Sequence, residues 1–408
     1  MAGFNQESSY QETLDTYSYN QAVLDVPAMS SGTGTIKATD SYSEYAIRGG
    51  FFRVNYNYLD KYLLEVNGRY DGSSKFPKSS RFGFFPSVSA GWQIAQERFM
   101  NSTRHWLDGL KLRASYGVIG NQNINPYTFT PSMSVNNKAT SWIIDDTYVT
   151  SISSLPALVS QNFTWEKVGT INVGLDVNLF NNRLSGVFEW YQRNTNGMLA
   201  PGVQLPAVVG ASAPYQNTAD MRTRGWELSL NWRDQIGKVG YRIGFNLSDY
   251  KSEIIKYDDN AATKLLSSYY PGQTLGEIWG YVVDGYYTVD DFVDTSSWQL
   301  KEGVTSINGY NVRPGDVKFK NLRDDDTSTN VITSGDNTFD NPGDRKVIGN
   351  TTPRYQYGIN LGMNYAGFDL NVILQGTGKR DYWISNVLTF PMNGDNFVPL
   401  FEGLSDYW

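Results

Sequence analysis

The sequence predicts an all-β chain, a large antiparallel sheet with one oily face and one wet face, and three observations lead there. Apolar and polar residues alternate with a period of two in segment after segment, and a strand sends successive side chains to opposite faces. Helix-period patterning is nearly absent. The connections between the alternating segments are short and long by turns in chain order.

The first alternating segment covers 51–58 and the next begins at 62, where Leu64, Val66, Gly68 and Tyr70 oppose Glu65, Asn67, Arg69 and Asp71. Val88, Ala90, Trp92 and Ile94 then alternate with Ser87, Ser89, Gly91 and Gln93. Leu110, Leu112, Ala114, Tyr116 and Val118 follow, and after a long interval Ile171, Val173, Leu175, Val177 and Leu179. The segment 184–193 leads to Trp226, Leu228, Leu230 and Trp232, then to Tyr241, Ile243, Phe245 and Leu247. Tyr357, Ile359, Leu361, Met363 and Tyr365 precede 367–376, which makes about ten strands.

Short connections fall at 59–61, 181–183, 233–240 and 366–367, with 95–109 a longer member that has room for one helical turn. Long ones span about 72–85, 119–164, 194–224 and 251–355, rich in Ser, Asn, Asp, Thr and Gly. Membrane barrels have short turns at one rim and long loops at the other, with strands of about nine to eleven residues. Tyr56, Tyr58 and Tyr62, Trp232 and Tyr241, and Tyr365 and Phe368 gather at the short turns, as an aromatic girdle would. The stretch 251–355 is too long for a structureless loop and is expected to fold over the barrel mouth with elements of its own. A soluble β-sandwich, used as a surface binding or adhesion module, is the alternative; it would bury the same apolar residues between two sheets.

Composition narrows the function. A net charge of −7 offers no basic stripe to displace counterions from phosphates, so nucleic acid is set aside. The absence of Cys removes disulfides and thiolate metal sites, and a single histidine, His105, removes multi-histidine ones. No apolar run approaches the length of a membrane helix, which leaves strands as the only means of crossing a bilayer. The start MAGFNQESSYQ has no basic and apolar leader pattern.

The runs RVNYNYLDKYLLEVNGRYDGSSKF (53–76), FGFFPSVSAGWQIAQERFM (82–100) and LKLRASYGVIGNQNI (110–124) resemble the SusC/RagA family of TonB-linked outer-membrane transporters of Bacteroidetes. So do TWEKVGTINVGLDVNLFNNRL (164–184), PGQTLGEIWGYVVDGYY (271–287), RPGDVKFKNL (313–322) and DRKVIGNTTPRYQYGINLGMNYAGFDLNVILQG (344–376), so the likeness covers essentially the whole chain. The resemblance implies a barrel of about 22 strands in the outer membrane of a Gram-negative bacterium, filled by an N-terminal plug. It implies a SusD-like surface lipoprotein as partner, an oligosaccharide or peptide as substrate, and coupling to the TonB complex through a region ahead of the plug. It also implies that 1–408 is a partial barrel domain, the C-terminal-half fragment, without signal peptide, N-terminal domain, plug or final strands. Such a fragment is expected to be an open, curved sheet with two unpaired edges that neither inserts nor transports by itself.

Candidate sites follow from residue chemistry. The loop aromatics Trp142, Tyr148, Trp279, Tyr281, Tyr286, Tyr287 and Trp298 present flat rings on which sugars stack; the competing reading is that they pack the long loops together. Asp324, Asp325 and Asp326, followed by Asp336, Asp340 and Asp344, form the densest acidic stretch. The resemblance implies an acidic D-x-N-G-D-G-like run here, which suits calcium, with Asp324, Asp326, Asp336 and Asp340 as ligands; yet this sequence lacks the loop glycine after Asp326, and a solvated acidic loop is the other reading. No other cofactor is expected. GTGTIK (32–37) and QGTGKR (375–380) lack the full phosphate-loop spacing. Glu166 and Asp176 read as lumen-facing charges rather than an acid/base pair, and His105 as a surface residue, so no enzyme activity and no catalytic residue is expected.

Overall fold

The computed structural model describes residues 1–408 apart from 24, 26–27, 133–134, 137–142, 145–146, 149–151, 154–155, 161–162, 204, 259–268, 324–329 and 385–408. Eleven strands form one sheet: β1 (Ala2–Ser18), β2 (Ile36–Tyr58), β3 (Tyr62–Ser73), β4 (Phe82–Gln93), β5 (Leu107–Asn121), β6 (Glu166–Leu179), β7 (Leu184–Pro201), β8 (Tyr215–Ile236), β9 (Val239–Tyr257), β10 (Arg354–Tyr365) and β11 (Phe368–Lys379). Each strand lies beside its neighbours in this order, as a meander, and the first and last strands do not pair. Among the described residues the sheet is therefore open, with an edge at β1 and another at β11.

The expected strand positions hold, but the strand count and lengths differ. β1 and the first half of β2 have no counterpart among the alternating segments, because both faces of this hairpin are exposed and its Ser, Thr, Gln and Glu residues blur the period-two signal. β7, β8 and β9 also run well beyond their apolar stretches, into what the sequence presents as loops; there small polar residues such as Thr195, Thr218, Thr223 and Ser252 are buried, so burial no longer sorts residues by polarity. The connection 95–109 holds two short 3-10 turns, Ile94–Gln96 and Arg98–Thr103.

The chain divides into two compact units. The first comprises Met1–Ser102, Leu110–Gly174 and Tyr191–Met221. Its register places side chains in continuous rows: Val54, Val66, Val88 and Tyr116 lie abreast on one face, and Arg53, Asn67, Ser87 and Gly117 on the other. At the short turns Tyr58 stacks on Tyr62, ring centroids 6.4 Å apart. The turn 94–97 is tied back to the sheet by Glu97, which accepts hydrogen bonds from Lys61 Nζ (3.0 Å), Tyr62 OH (2.7 Å) and Trp92 Nε1 (3.2 Å). These three donors hold its carboxyl at about 2.

The second unit comprises Thr103–Gly109, Leu175–Trp190 and Arg222–Trp408. Rows again separate by chemistry, with Ile243, Leu361 and Val372 on one face and Arg242, Gly362 and Asn371 on the other. At its short turns Trp232 donates to the Tyr241 hydroxyl at 3.3 Å, and Tyr365 faces Phe368 across an Ala366–Gly367 turn. Both turn residues have positive φ, 50° and 86°, as the tight two-residue hairpin requires.

Between β9 and β10 the long connection does carry elements of its own. Glu277–Tyr281 pairs with Arg345–Asn350, Val283–Tyr286 with Val317–Phe319, and Ser306–Ile307 runs parallel to Val331–Ile332. A small core of Tyr287, Phe292 and Val312 holds these pieces together.

Among the described residues no second layer seals the apolar face of the sheet. Val173 and Leu361 are each 39% exposed, and Leu228 is half-buried. The buried cores lie instead in the loops and at the strand ends that meet them. A sandwich buries its belt residues, so that alternative fails on this observation.

Candidate functional site

The wet face of the first unit is a hydrogen-bonding surface. Arg53 Nε donates to Asn67 Oδ1 at 2.7 Å, and the Asn67 amide donates to Glu65 at 2.8 Å and to Ser87 at 3.3 Å. One row on, Arg69 engages Asp71 through two bonds of 3.0 Å and lies 5.3 Å from the Phe51 ring. Strand alternation puts all of these on one side, where they surround a depression of about 740 Å³. Donors, acceptors and ring faces together suit a polar, multi-hydroxyl or amide-rich ligand.

Above this depression the chain closes with aromatics. Phe76, Phe85, Phe163 and Trp165 form a buried cluster, with Trp165 centred 4.9 Å from Phe76 and 5.3 Å from Phe85. Trp165 Nε1 donates to the Arg81 carbonyl at 2.9 Å, and Asn217 brackets Thr164 through both its backbone groups. Glu166 accepts from Asn121 Nδ2 at 2.6 Å and from the Leu199 N–H at 2.9 Å. The TWEK run is thus the lock by which the long connection 122–165 re-enters the sheet. The sequence shows the run but not its partners, which lie in β4, β5, β7 and β8.

The loop aromatics separate into two roles. Tyr287 is 1% exposed and donates to the Thr305 carbonyl at 2.6 Å, so no ring face is left for a sugar and the expectation of a binding role is corrected to packing. Trp298 stands edge-on to Phe292 at 5.4 Å beside the same core. Trp279 Nε1 donates to the Tyr270 hydroxyl at 3.1 Å, which in turn donates to Glu277 at 2.6 Å; burial and that carboxylate push the Tyr270 phenol well up. Tyr281 packs on Phe319, centroids 5.2 Å apart, while Tyr286 is exposed. Tyr148 lies in a two-residue strand, Thr147–Tyr148, and Trp142 lies outside the described residues.

The acidic stretch is used locally. Asp344 is buried and accepts from the backbone N–H groups of Leu322 (2.8 Å), Arg323 (3.3 Å) and Thr333 (2.8 Å). Asp336 accepts from both the N–H and the hydroxyl of Thr338, and those bonds lower its carboxyl pKa. Asp340 offers its carbonyl to Arg323. Asp324, Asp325 and Asp326 lie outside the described residues, and among the described residues no three acidic or histidine side chains converge as ion ligands. Sequence reasoning missed a tighter carboxylate, Asp294, which accepts four bonds from Ser296 and Ser297 and is held far below the usual range. The D-x-S-S spacing is its only signal.

Comparison with known proteins agrees with this geometry. TonB-dependent receptor P3 of Formosa agariphila is 30% identical over 367 residues, 86% of this chain and 33% of that protein. TonB-dependent receptor SusC of Bacteroides thetaiotaomicron is 35% identical over 209 residues, 50% of this chain and 20% of that protein. The chain therefore spans a third or less of these relatives. In fold it is similar to the RagAB peptide transporter, with a TM-score of 0.67 at 22% identity over 92% of this chain and 38% of that one. Residues 2–397 match the family described as TonB dependent receptor-like, beta-barrel. With an open antiparallel sheet that is oily on one side and wet on the other, short turns at one end and long loops at the other, the chain belongs to the TonB-dependent receptor family of Gram-negative outer-membrane β-barrels.

Proposed function

We propose that this chain forms part of the barrel wall of a TonB-dependent transporter that imports oligomeric nutrients, glycans or peptides, with a SusD-like surface lipoprotein. The observation that carries the reading is the two-faced sheet: Val54, Val66, Val88 and Tyr116 form an unsealed apolar row, and Arg53, Asn67 and Ser87 a hydrogen-bonding row behind it. Apolar side chains left uncovered in this number belong against lipid, and a wet opposite face belongs to a lumen. The kinship with SusC and the fold shared with a peptide transporter support a substrate larger than a single sugar or amino acid.

On this reading the work done is binding and gating, with no bond made or broken in the substrate. Arg53, Arg69 and their carboxylate and amide partners exchange hydrogen bonds with the passing ligand, and Tyr286 offers an exposed ring among the loops. Energy enters through the TonB complex, acting on a plug beyond the sheet described above. The test is uptake of labelled maltooligosaccharides and mixed peptides by cells producing the protein that contains this chain. Uptake that stops when a protonophore collapses the proton-motive force is the expected result; uptake indifferent to it would overturn the proposal.

A further inference from the structure

The hairpin β1–β2 stands beyond its neighbour. Ile47 is the last β2 residue paired with β3, whereas the ladder to β1 continues as far as Ile36 opposite Ser18. The stretch 36–46, about 36 Å of extended chain, therefore has a ladder partner on one side only among the described residues. Which groups face the open side follows from two anchors. Arg53 exchanges backbone bonds with Met1 on the β1 side, and Ala46 exchanges bonds with Ser74 on the other. Alternation then turns the N–H and C=O groups of Glu44, Tyr42, Asp40 and Ala38 toward the open side, and among the described residues only the Glu44 N–H is used there, donated to the Tyr127 hydroxyl at 3.2 Å.

The charged side chains along this edge are predominantly acidic. Glu44 lies opposite Tyr10, Tyr42 opposite Glu12, and Asp40 opposite Leu14, so one face presents three carboxylates among exposed Tyr and Leu side chains. Over 7–18 and 36–46 the acids Glu7, Glu12, Asp15, Asp40 and Glu44 stand against Lys37 alone. A row of alternating donors and acceptors is matched only by another extended backbone, which lipid and sugar cannot supply. A second copy of the same edge would set Asp40 and Glu44 against like charges, which opposes self-pairing.

We propose that the overhanging β2 edge, Ala38 to Tyr42, docks an extended segment of a partner polypeptide by strand addition, the segment carrying Lys or Arg at alternate positions to meet Asp40 and Glu44. The inference stands on the hairpin and not on the transport reading. A tethered partner suits it better than cargo, because a bound strand is held beyond the end of β3 and not released along the wet face.

The test uses the full chain in detergent micelles and a fluorescent Lys-Thr repeat decapeptide, read by anisotropy. Asp40→Pro removes an outward N–H without touching the ladder to β1, because proline is tolerated at such edge positions. Binding to the unaltered chain, weakened about tenfold by Asp40→Pro through lost backbone bonds, is the expected result. The double variant Asp40→Asn, Glu44→Gln should weaken it about threefold and reduce its salt dependence. No binding of the decapeptide to the unaltered chain, or equal binding to Asp40→Pro, overturns the proposal. So does dimerisation of the unaltered chain that Asp40→Pro abolishes. Entry of the peptide into cells through the unaltered protein but not through Asp40→Pro would make it cargo and overturn the docking role.

Discussion

At the scale of single residues, two side chains show how a polar group can be bound to structure instead of ligand. Tyr287 sits in the loop core with its hydroxyl on the Thr305 carbonyl. Tyr287→Phe should cost about 1 kcal/mol, the worth of one buried hydrogen bond whose acceptor keeps other options. Tyr287→Ala should cost about 3–5 kcal/mol through the cavity left behind, and limited proteolysis between 277 and 350 would read both. Glu97 is the second case, its carboxyl lowered from 4.5 to about 2 by Tyr62, Lys61 and Trp92. A depressed acid stabilises the fold fully above its unfolded pKa and loses that contribution as pH falls toward its folded one. Between pH 4.5 and 2 the chain should therefore lose stability that Glu97→Gln lacks from the start, so the acid limbs of their unfolding curves should converge.

At the scale of elements, tight turns and one ion pair fix the order of the strands. The Ala366–Gly367 turn needs positive φ at both positions, and Gly367 has open space where a Cβ would stand. Gly367→Ala thus isolates backbone strain and should cost about 1 kcal/mol in thermal unfolding, with no steric part. Where β10 meets β9, Arg354 grips Asp249 through two bonds of 2.5 and 2.6 Å. The Asp249 side chain is 7% exposed and that of Arg354 35%, so Arg354→Ala strands a nearly buried carboxylate that water reaches only in part. A loss of about 3 kcal/mol is expected, at the low end of the range for a broken buried pair. Replacing both partners, as Arg354→Met with Asp249→Leu, should recover most of it, which a double-mutant cycle would measure.

At the scale of the molecule, the apolar face and the free edges make opposing demands. Val173 and Leu361 lie within the exposed apolar belt, so Val173→Arg or Leu361→Arg should destabilise the bilayer-inserted protein by about 2–4 kcal/mol. Asn67→Arg, on the wet face, should cost far less, and folding titrations in lipid vesicles would compare them. The edges at β1 and β11 leave backbone groups that hydrocarbon cannot satisfy. The eleven-stranded sheet by itself should therefore fail to permeabilise liposomes to small sugars; swelling of vesicles that contain only this chain would contradict the open-sheet reading.

Sequence alone determined the strands wherever lipid and water meet across them. Alternation such as Leu64, Val66 and Tyr70 against Glu65, Asn67 and Arg69 is imposed by two solvents, and the register follows the same rows. The short turns were legible as well, because Gly, Asn and Asp supply backbone conformations that few residues tolerate. Illegible were β1 and the first half of β2, where both faces are exposed, and the outer ends of β7 to β9, where small polar residues such as Thr195, Thr218 and Thr223 are buried by the rest of the fold. Loop aromatics were equally opaque: Tyr286 and Tyr287 are adjacent and identical in kind, and only the fold exposes one ring and buries the other. A strand's two faces are a local property of the chain, whereas burial depends on what the rest of the molecule brings against it, and that only the tertiary structure decided.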